Sequence, residues 1–353
     1  MHIKRIESSK LAHTNYKNET FGTCFTDYMF EIHFENGKWS EPSIKPYGPF
    51  QVSPSTQAFH YGQVFFEGMK AYKNNEGKIM LFRPLENAKR FNKTAERLCM
   101  PSLPESIFLE GLSTLLSLDK DWVPASKSAS LYIRPFMFAS GLGVKASESA
   151  RYTMMIICCP VETYYKKPVK LLAERQYVRA AIGGTGAVKA GGNYAGSFQP
   201  ALLARQKGYD QIMWTDAKTH NLVEEAGTMN IFFRIGNKLV TPILNGSILP
   251  GITRNSIIAL AKHKGIEVEE RQIPLTELEE AYKKGELIEA FGAGTAATIS
   301  NISEINIDGN QLFISEDNSM SAGLKDELEG IKRGDVADEF NWMYQVSLST
   351  SLG

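Results

Sequence analysis

Val188-Lys189-Ala190-Gly191-Gly192-Asn193-Tyr194 is the stretch on which the reading of this chain turns. Lys189 is flanked by Ala187, Val188 and Ala190. Gly183, Gly184, Gly186, Gly191, Gly192 and Gly196 lie close by, and no acidic residue stands within four positions on either side. Small neighbours leave open space about the amine and strip it partly of water. Desolvation lowers a lysine's pKa and makes it a usable nucleophile, which suits a Schiff base to an aldehyde cofactor. The alternative is a flexible Gly-rich loop with an exposed lysine. Phosphate-loop patterns do not account for the stretch: no G-x-x-x-x-G-K-[ST] is present, and Lys189 stands where G-x-G-x-x-G would need its third glycine after Gly184-Thr185-Gly186.

Working outward toward the C-terminus, residues 199–207 read as a helix and residues 211–215, 230–234 and 238–241 as strands. Residues 251–264 read as a helix opened by Pro250 and stopped by Gly265. A strand at 268–273, a helix at 275–284 and a strand at 287–291 follow, and residues 321–344 read as a final helix, broken at Gly330 or Gly334. Three stretches here carry chemistry. In Leu222-Val223-Glu224-Glu225-Ala226-Gly227-Thr228-Met229-Asn230, two carboxylates precede a small turn and an apolar strand. A carboxylate in such a setting is costly unless it meets a cation, and a protonated pyridine nitrogen is one such cation; an exposed acidic turn is the plainer reading. Leu249-Pro250-Gly251-Ile252-Thr253-Arg254 opens a helix, where unpaired N–H groups favour an anion, though most helix starts bind nothing. Gly292-Ala293-Gly294-Thr295-Ala296-Ala297-Thr298 is a small-residue loop with donors suited to a phosphate or carboxylate.

Working outward toward the N-terminus, residues 152–159 and 130–138 read as buried strands. Residues 105–118 read as a helix, and Pro84 opens another to about Leu98, with Leu85, Ala88, Phe91, Ala95 and Leu98 on one face. Residues 65–72 and 78–82 read as one hairpin, and residues 27–34 and 37–39 as another around Asn36-Gly37. Arg134, a charge within an apolar strand, is either paired in the core or aimed into a site. Arg90 reads by default as part of a solvated helix face. Between the halves, residues 160–168 are polar and aromatic, bounded by two prolines. They mark a domain boundary, or a long surface loop within one domain. Residues 169–174 read as the strand with which the second half restarts. The expected division is a small N-terminal α/β domain at 1–160, an interdomain loop at 161–173 and a large C-terminal domain at 174–353 carrying the lysine. Strands and helices mix without strict alternation, which makes the class α+β.

With 353 residues the chain suits two domains rather than one core. The 39 basic and 39 acidic residues balance, which argues against a nucleic-acid partner. No apolar run near the length that spans a bilayer is present, so no membrane is expected. Cys24, Cys99, Cys158 and Cys159 have neither CxxC nor zinc spacing. Reduced thiols, no metal and a cytoplasmic location are the expectation.

Taken together and in order, these blocks resemble the fold-type IV pyridoxal 5′-phosphate (PLP) enzymes, and among them the branched-chain aminotransferases. The resemblance runs over almost the whole chain. It is carried by Phe21-Gly22, Phe25-Thr26-Asp27, His60-Tyr61-Gly62, Phe66-Glu67-Gly68-Met69-Lys70-Ala71-Tyr72, Leu81-Phe82-Arg83-Pro84 and Leu131-Tyr132-Ile133-Arg134-Pro135, together with the Lys189, Glu225, Ile252 and Thr295 stretches. It implies that Lys189 carries PLP and moves the substrate's α-proton. Tyr194 would meet the cofactor's phenolic oxygen and Glu225 its pyridine nitrogen. Arg90, the N–H groups of Ile252 and Thr253, and Thr295 would hold the phosphate, with Thr228 under the ring. Phe21, Tyr61, Phe66 and Tyr132 would line the side-chain pocket, and Thr295 and Ala296 would face the substrate carboxylate. Arg134 resembles the family's arginine near the site, where a second carboxylate such as that of glutamate could be accommodated. Leu142 and Val144 would reach into a partner subunit's site, making a homodimer with active sites near the interface. The implied reaction exchanges the amino group of leucine, isoleucine or valine with 2-oxoglutarate, giving branched 2-oxo acids and glutamate. Some animal members carry a CxxC pair beside the Gly294–Ala296 loop; here Thr295-Ala296-Ala297-Thr298 stands instead, so thiol regulation there is not expected. Rival readings are a D-amino-acid aminotransferase or an aminodeoxychorismate lyase of the same fold, and a non-catalytic relative. Tyr164 and Tyr165, between the two prolines, are expected to close over the substrate.

Overall fold

The computed structural model describes residues 1–16, 20–162 and 167–347. The chain forms two compact units: Met1–Tyr164 with Lys189–Gly191 and Gly330–Gly353, and Tyr165–Val188 with Gly192–Glu329. This differs from the division expected of the sequence. Val169–Ala173 is a strand of the second unit, as residues 169–174 read in sequence, so the expected loop ends before it. Residues 189–191 belong to the first unit because Ala190 forms a β-bridge with Phe65. The last residues return there because Met343–Gln345 pairs with Ile79–Phe82. Residues 163–166, including Tyr164 and Tyr165, lie outside the described residues.

In the first unit, the described strands form one sheet in the order His2–Ile3, Ser43–Pro46, Tyr28–Glu35, Tyr152–Val161, Ser130–Ala139, Met69–Lys73, Ile79–Phe82 and Met343–Gln345. Lys38–Trp39 and Val64–Phe66 attach beside this path. The central pair, Ser130–Ala139 against Tyr152–Val161, is buried along nearly its whole length, as its largely apolar sequence suggests. The Pro84–Arg97 helix buries Ala88, Phe91 and Ala95 in the core with Phe65 and Phe108, while Leu85 stays exposed. Glu105–Leu118 contributes Phe108, Leu112 and Leu115.

The single strand read at 65–72 is two strands, Val64–Phe66 and Met69–Lys73, which pair with the same neighbour through Phe66↔Phe136 and Met69↔Ile133. Pro135 stands in the gap. It has no N–H to give the ladder, and only its carbonyl is used, accepting from the Glu67 N–H at 2.7 Å. Glu67 and Gly68 thus fall at a break in the sheet.

In the second unit, Val223–Ala226, Gln211–Thr215, Val169–Ala173, Thr298–Ile307, Leu287–Gly294 and Met229–Ile235 pair in sequence. The first also pairs with the last, so the six close into a ring. Lys238–Pro242 and Val268–Arg271 extend it from Met229–Ile235, and Asn310–Phe313 pairs with Thr298–Ile307. The Glu224–Glu225 stretch is therefore a buried strand running into the 227–228 turn, not an exposed acidic turn. The final helix is Ser319–Arg333, ending at Gly334, whose φ of 77° is the left-handed conformation that stops helices. Among the described residues no helix is long and apolar enough to cross a membrane.

Candidate active site

Lys189 is half-buried and fixed by its main chain: its N–H donates to Thr94 Oγ1 at 3.3 Å and its carbonyl accepts from the Phe66 N–H at 3.3 Å. The lysine is thus held on the first unit, not loose in a glycine loop. Its Nζ lies 4.7 Å from the Phe66 ring centroid, and the Arg134 guanidinium lies 4.4 Å from the same centroid. Arg134 Nη2 donates to the Tyr132 hydroxyl at 2.9 Å, and Phe21 meets the Tyr132 ring edge-on at 5.1 Å. Gly68 is required here, since a Cβ on it would fall 2.2 Å from the Tyr132 hydroxyl oxygen. Lys189, Phe66, Arg134, Tyr132 and Phe21, five of the residues singled out in sequence, are brought together. The Arg134 Nε is buried and without a hydrogen-bond partner among the described residues.

Arg90 is buried at 7% exposure, not part of a solvated face. Its Nε and Nη2 donate to Glu67 Oε1 and Oε2 at 2.7 and 2.9 Å. Glu67 is fully buried and also accepts from Asn87 Nδ2 at 2.8 Å and the Gly68 N–H at 3.1 Å. Burial pushes its carboxyl pKa up. The Arg90 charge and hydrogen bonds, with help from Lys189 and Asn87, more than reverse this, so the carboxyl lies below its ordinary value.

Tyr61, Leu142 and Val144 form a separate group. Tyr61 donates its hydroxyl to the Val144 carbonyl, and Leu142 bridges Thr56. Leu142 and Val144 are 62% and 68% exposed.

In the second unit Glu225, buried, accepts from the Leu249 N–H at 2.7 Å and lies 3.1 Å from Arg179 Nε. Arg179 Nη2 donates to the carbonyls of Gly186 (3.0 Å) and Ser247, and so ties the Gly-rich stretch, the 243–250 loop and the Glu225 strand together. Glu224 instead accepts from the Ser247 hydroxyl. Burial pushes its carboxyl pKa up, with the Ser247 and Asn245 hydrogen bonds and the Arg179 charge opposing. Ile252 and Thr253 open the Ile252–His263 helix, whose start has no side-chain cap, and the first N–H groups of a helix have no partner within it. Gly251 at that start sits against Asn230, whose Oδ1 a Cβ would meet at 2.0 Å. Thr228 is exposed in the turn between the Ala226 and Met229 strand ends. Thr295 and Ala296 lie in the tight turn joining Leu287–Gly294 to Thr298–Ile307, half-buried. Tyr194 is half-buried on the short Gly191–Ala195 helix.

Sequence reasoning assigned no role to Glu67 and did not single out Arg179. For Glu67 a signal existed, a carboxylate inside an apolar strand, the same signal that marked Arg134. For Arg179, on a loop without periodicity, none did.

Comparison with known proteins bears on this geometry. The family model for amino-transferase class IV matches residues 64–305. Branched-chain-amino-acid aminotransferase 2 of Bacillus subtilis is 45% identical over 98% of this chain and 97% of its own length. The branched-chain-amino-acid aminotransferase of Mycolicibacterium smegmatis is 43% identical over 94% of this chain and 93% of its own. Among solved structures, the Escherichia coli branched-chain amino acid aminotransferase superposes with a TM-score of 0.74 at 27% identity, covering 91% of this chain and 99% of that one. A second solved branched-chain amino acid aminotransferase, from T.th. and complexed with N-(5′-phosphopyridoxyl)-L-glutamate, superposes with a TM-score of 0.71 at 25% identity, covering 90% of this chain and 98% of that one.

Proposed function

The chain belongs to the class IV aminotransferases, in the branched-chain group, and from that premise we propose how its residues carry the reaction. The enzyme moves the amino group of leucine, isoleucine or valine to 2-oxoglutarate and uses PLP to do so. The donor set fits that group: an amine at Lys189, a buried guanidinium at Arg90, helix-start N–H groups at Ile252 and Thr253, and a buried carboxylate at Glu225. Bound PLP supplies an electron sink for the charge left when the α-proton departs.

Lys189 would hold the cofactor, and its amine is placed to take the substrate's α-proton and return it. Arg90, Ile252, Thr253 and Thr295 would bind the phosphate. Glu225 would pair with the pyridine nitrogen, Tyr194 would meet the phenolic oxygen, and Thr228 would support the ring. Phe21, Phe66 and Tyr132 receive the branched side chain and exclude water, and Thr295 and Ala296 donate to the substrate carboxylate. Leu142 and Val144, with Tyr61 bonded to Val144, serve the partner's site in a homodimer, in keeping with their exposure. The cytoplasm, with its reduced thiols, is where we place the enzyme.

One observation carries the pairing of substrates. The Phe66 ring that takes the Lys189 ammonium also takes Arg134, whose buried Nε has no hydrogen-bond partner among the described residues. A second carboxylate on the substrate satisfies that donor, while a branched apolar chain rests on the rings of Phe66 and Tyr132. The test is transfer of ¹⁵N from labelled leucine to 2-oxoglutarate. Labelled glutamate is expected with L-leucine and not with D-alanine as donor; labelling from the D-amino acid alone sinks the substrate assignment.

A further inference from the structure

We infer that Glu67 is a positioning residue that aims Arg90 at the cofactor phosphate, an inference that rests on the phosphate role given to Arg90 above. A guanidinium is a planar fork whose N–H directions are fixed relative to one another. Glu67 engages Arg90 at both Nε and Nη2, at 2.7 and 2.9 Å. That bidentate contact sets the plane, and with it the direction of every other N–H the guanidinium carries. Glu67 is itself immobilised. Asn87, one turn before Arg90 on the same helix, donates to it, as does the Gly68 N–H, and its exposure is zero. The sheet is interrupted at Glu67 and Gly68, where Pro135 cannot complete the ladder. The residue before Glu67 receives Lys189 through main chain and ring. One short segment thus fixes both the amine that bonds the cofactor and the cation that binds its phosphate.

Two other roles are open to a buried carboxylate here, and they predict different results. As a mere counter-charge, Glu67 opposes an incoming anion, and its removal tightens phosphate binding. As a structural clip between strand and helix, its removal weakens every ligand equally. As a positioning residue, its removal weakens only ligands that carry a phosphate.

The experiment is titration of the apoprotein with PLP and, separately, with pyridoxal, which lacks the phosphate, alongside thermal unfolding of each variant. For Glu67→Gln we expect the preference for PLP over pyridoxal to shrink about 10- to 100-fold, the usual cost of losing a partner that orients a binding group, with pyridoxal affinity nearly unchanged. Arg90→Lys should show a similar loss, and the double variant Glu67→Gln/Arg90→Lys should add little to it, since the two act as one unit. Where Glu67→Gln does not fold, Glu67→Asp is read the same way, because it keeps the charge but shortens the reach. An unchanged or increased preference for PLP in the Glu67 variants, or full additivity in the double variant, overturns the inference. If the wild-type protein itself does not prefer PLP to pyridoxal, the phosphate role of Arg90 falls, and this inference with it.

Discussion

At Asp119, burial pushes the carboxyl pKa up to about 7, and the neighbouring Asp27 adds to the rise. Thr26 and the main chain at Tyr28 and Asp27 act the other way without forming well-aligned hydrogen bonds. The folded chain therefore keeps this proton at pH values where the unfolded chain has released it. Stability falls as pH rises from about 4 to about 7, and stays lost above, by at most about 4 kcal/mol at 1.36 kcal/mol per unit of pKa difference. Asp119→Asn should raise the melting temperature at pH 8 and change it little at pH 4. An equal shift at both values would show that its titration is not what matters. Arg134 makes a second prediction at this scale. Arg134→Gln should raise KM for 2-oxoglutarate by about one to two orders of magnitude, the loss of a charge-assisted hydrogen bond or two. KM for the branched 2-oxo acids should move far less; equal losses for both would remove Arg134 from carboxylate recognition. Lys189 and Arg134 were legible in the sequence as charges in small-residue or apolar settings, whereas Phe21, Phe66 and Tyr132 came only with the family resemblance. Glu67 gave the same signal without a role attached, and Arg179 gave none, because it stands on a loop without periodicity and its partners Glu225 and Ser247 lie far along the chain.

Among the elements, the helices Pro84–Arg97 and Glu105–Leu118 could be read from apolar spacing because each presents one face to a core. Thr298–Ile307 could not. Its apolar residues at 299, 302, 305 and 307 keep no period of two, and Ser300, Glu304 and Asn306 between them are buried as well. The break at Glu67 and Gly68 escaped because the proline responsible lies on the neighbouring strand. The last helix breaks at Gly334, one of the two positions its glycines offered; the strand beyond was not legible, because that stretch is polar and weakly patterned and its strand is set by pairing with Ile79–Phe82. That strand makes its own prediction. Trp342 accepts from the Arg83 N–H and takes its guanidinium at 5.4 Å, and Val346 is buried. Truncation after Gly334 should uncover the edge of Ile79–Phe82, lower the melting temperature and cause association visible by light scattering. A truncated protein that stays monodisperse and equally stable would show the strand to be dispensable.

For the molecule as a whole, each unit carries its own sheet and buried cluster, which the length and the absence of strict βαβ alternation had suggested. The boundary was harder, because residues 189–191 and 330–347 join the first unit through contacts distant in sequence. Specificity is expected to be broad within one class. Leucine, isoleucine and valine differ by a methylene or its position, worth about 1–3 kcal/mol, so their kcat/KM values should lie within about 200-fold of one another. A wider spread would require a polar contact to the side chain that none of these residues offers. The central claim is that Lys189 holds PLP for amino transfer from branched L-amino acids. The most direct measurement is the visible absorption of the purified protein before and after L-isoleucine is added without any oxo acid. The account predicts a yellow band that bleaches on addition and is restored by 2-oxoglutarate, with neither change in Lys189→Ala. A band that only D-alanine bleaches, or no band after PLP is supplied, would contradict it.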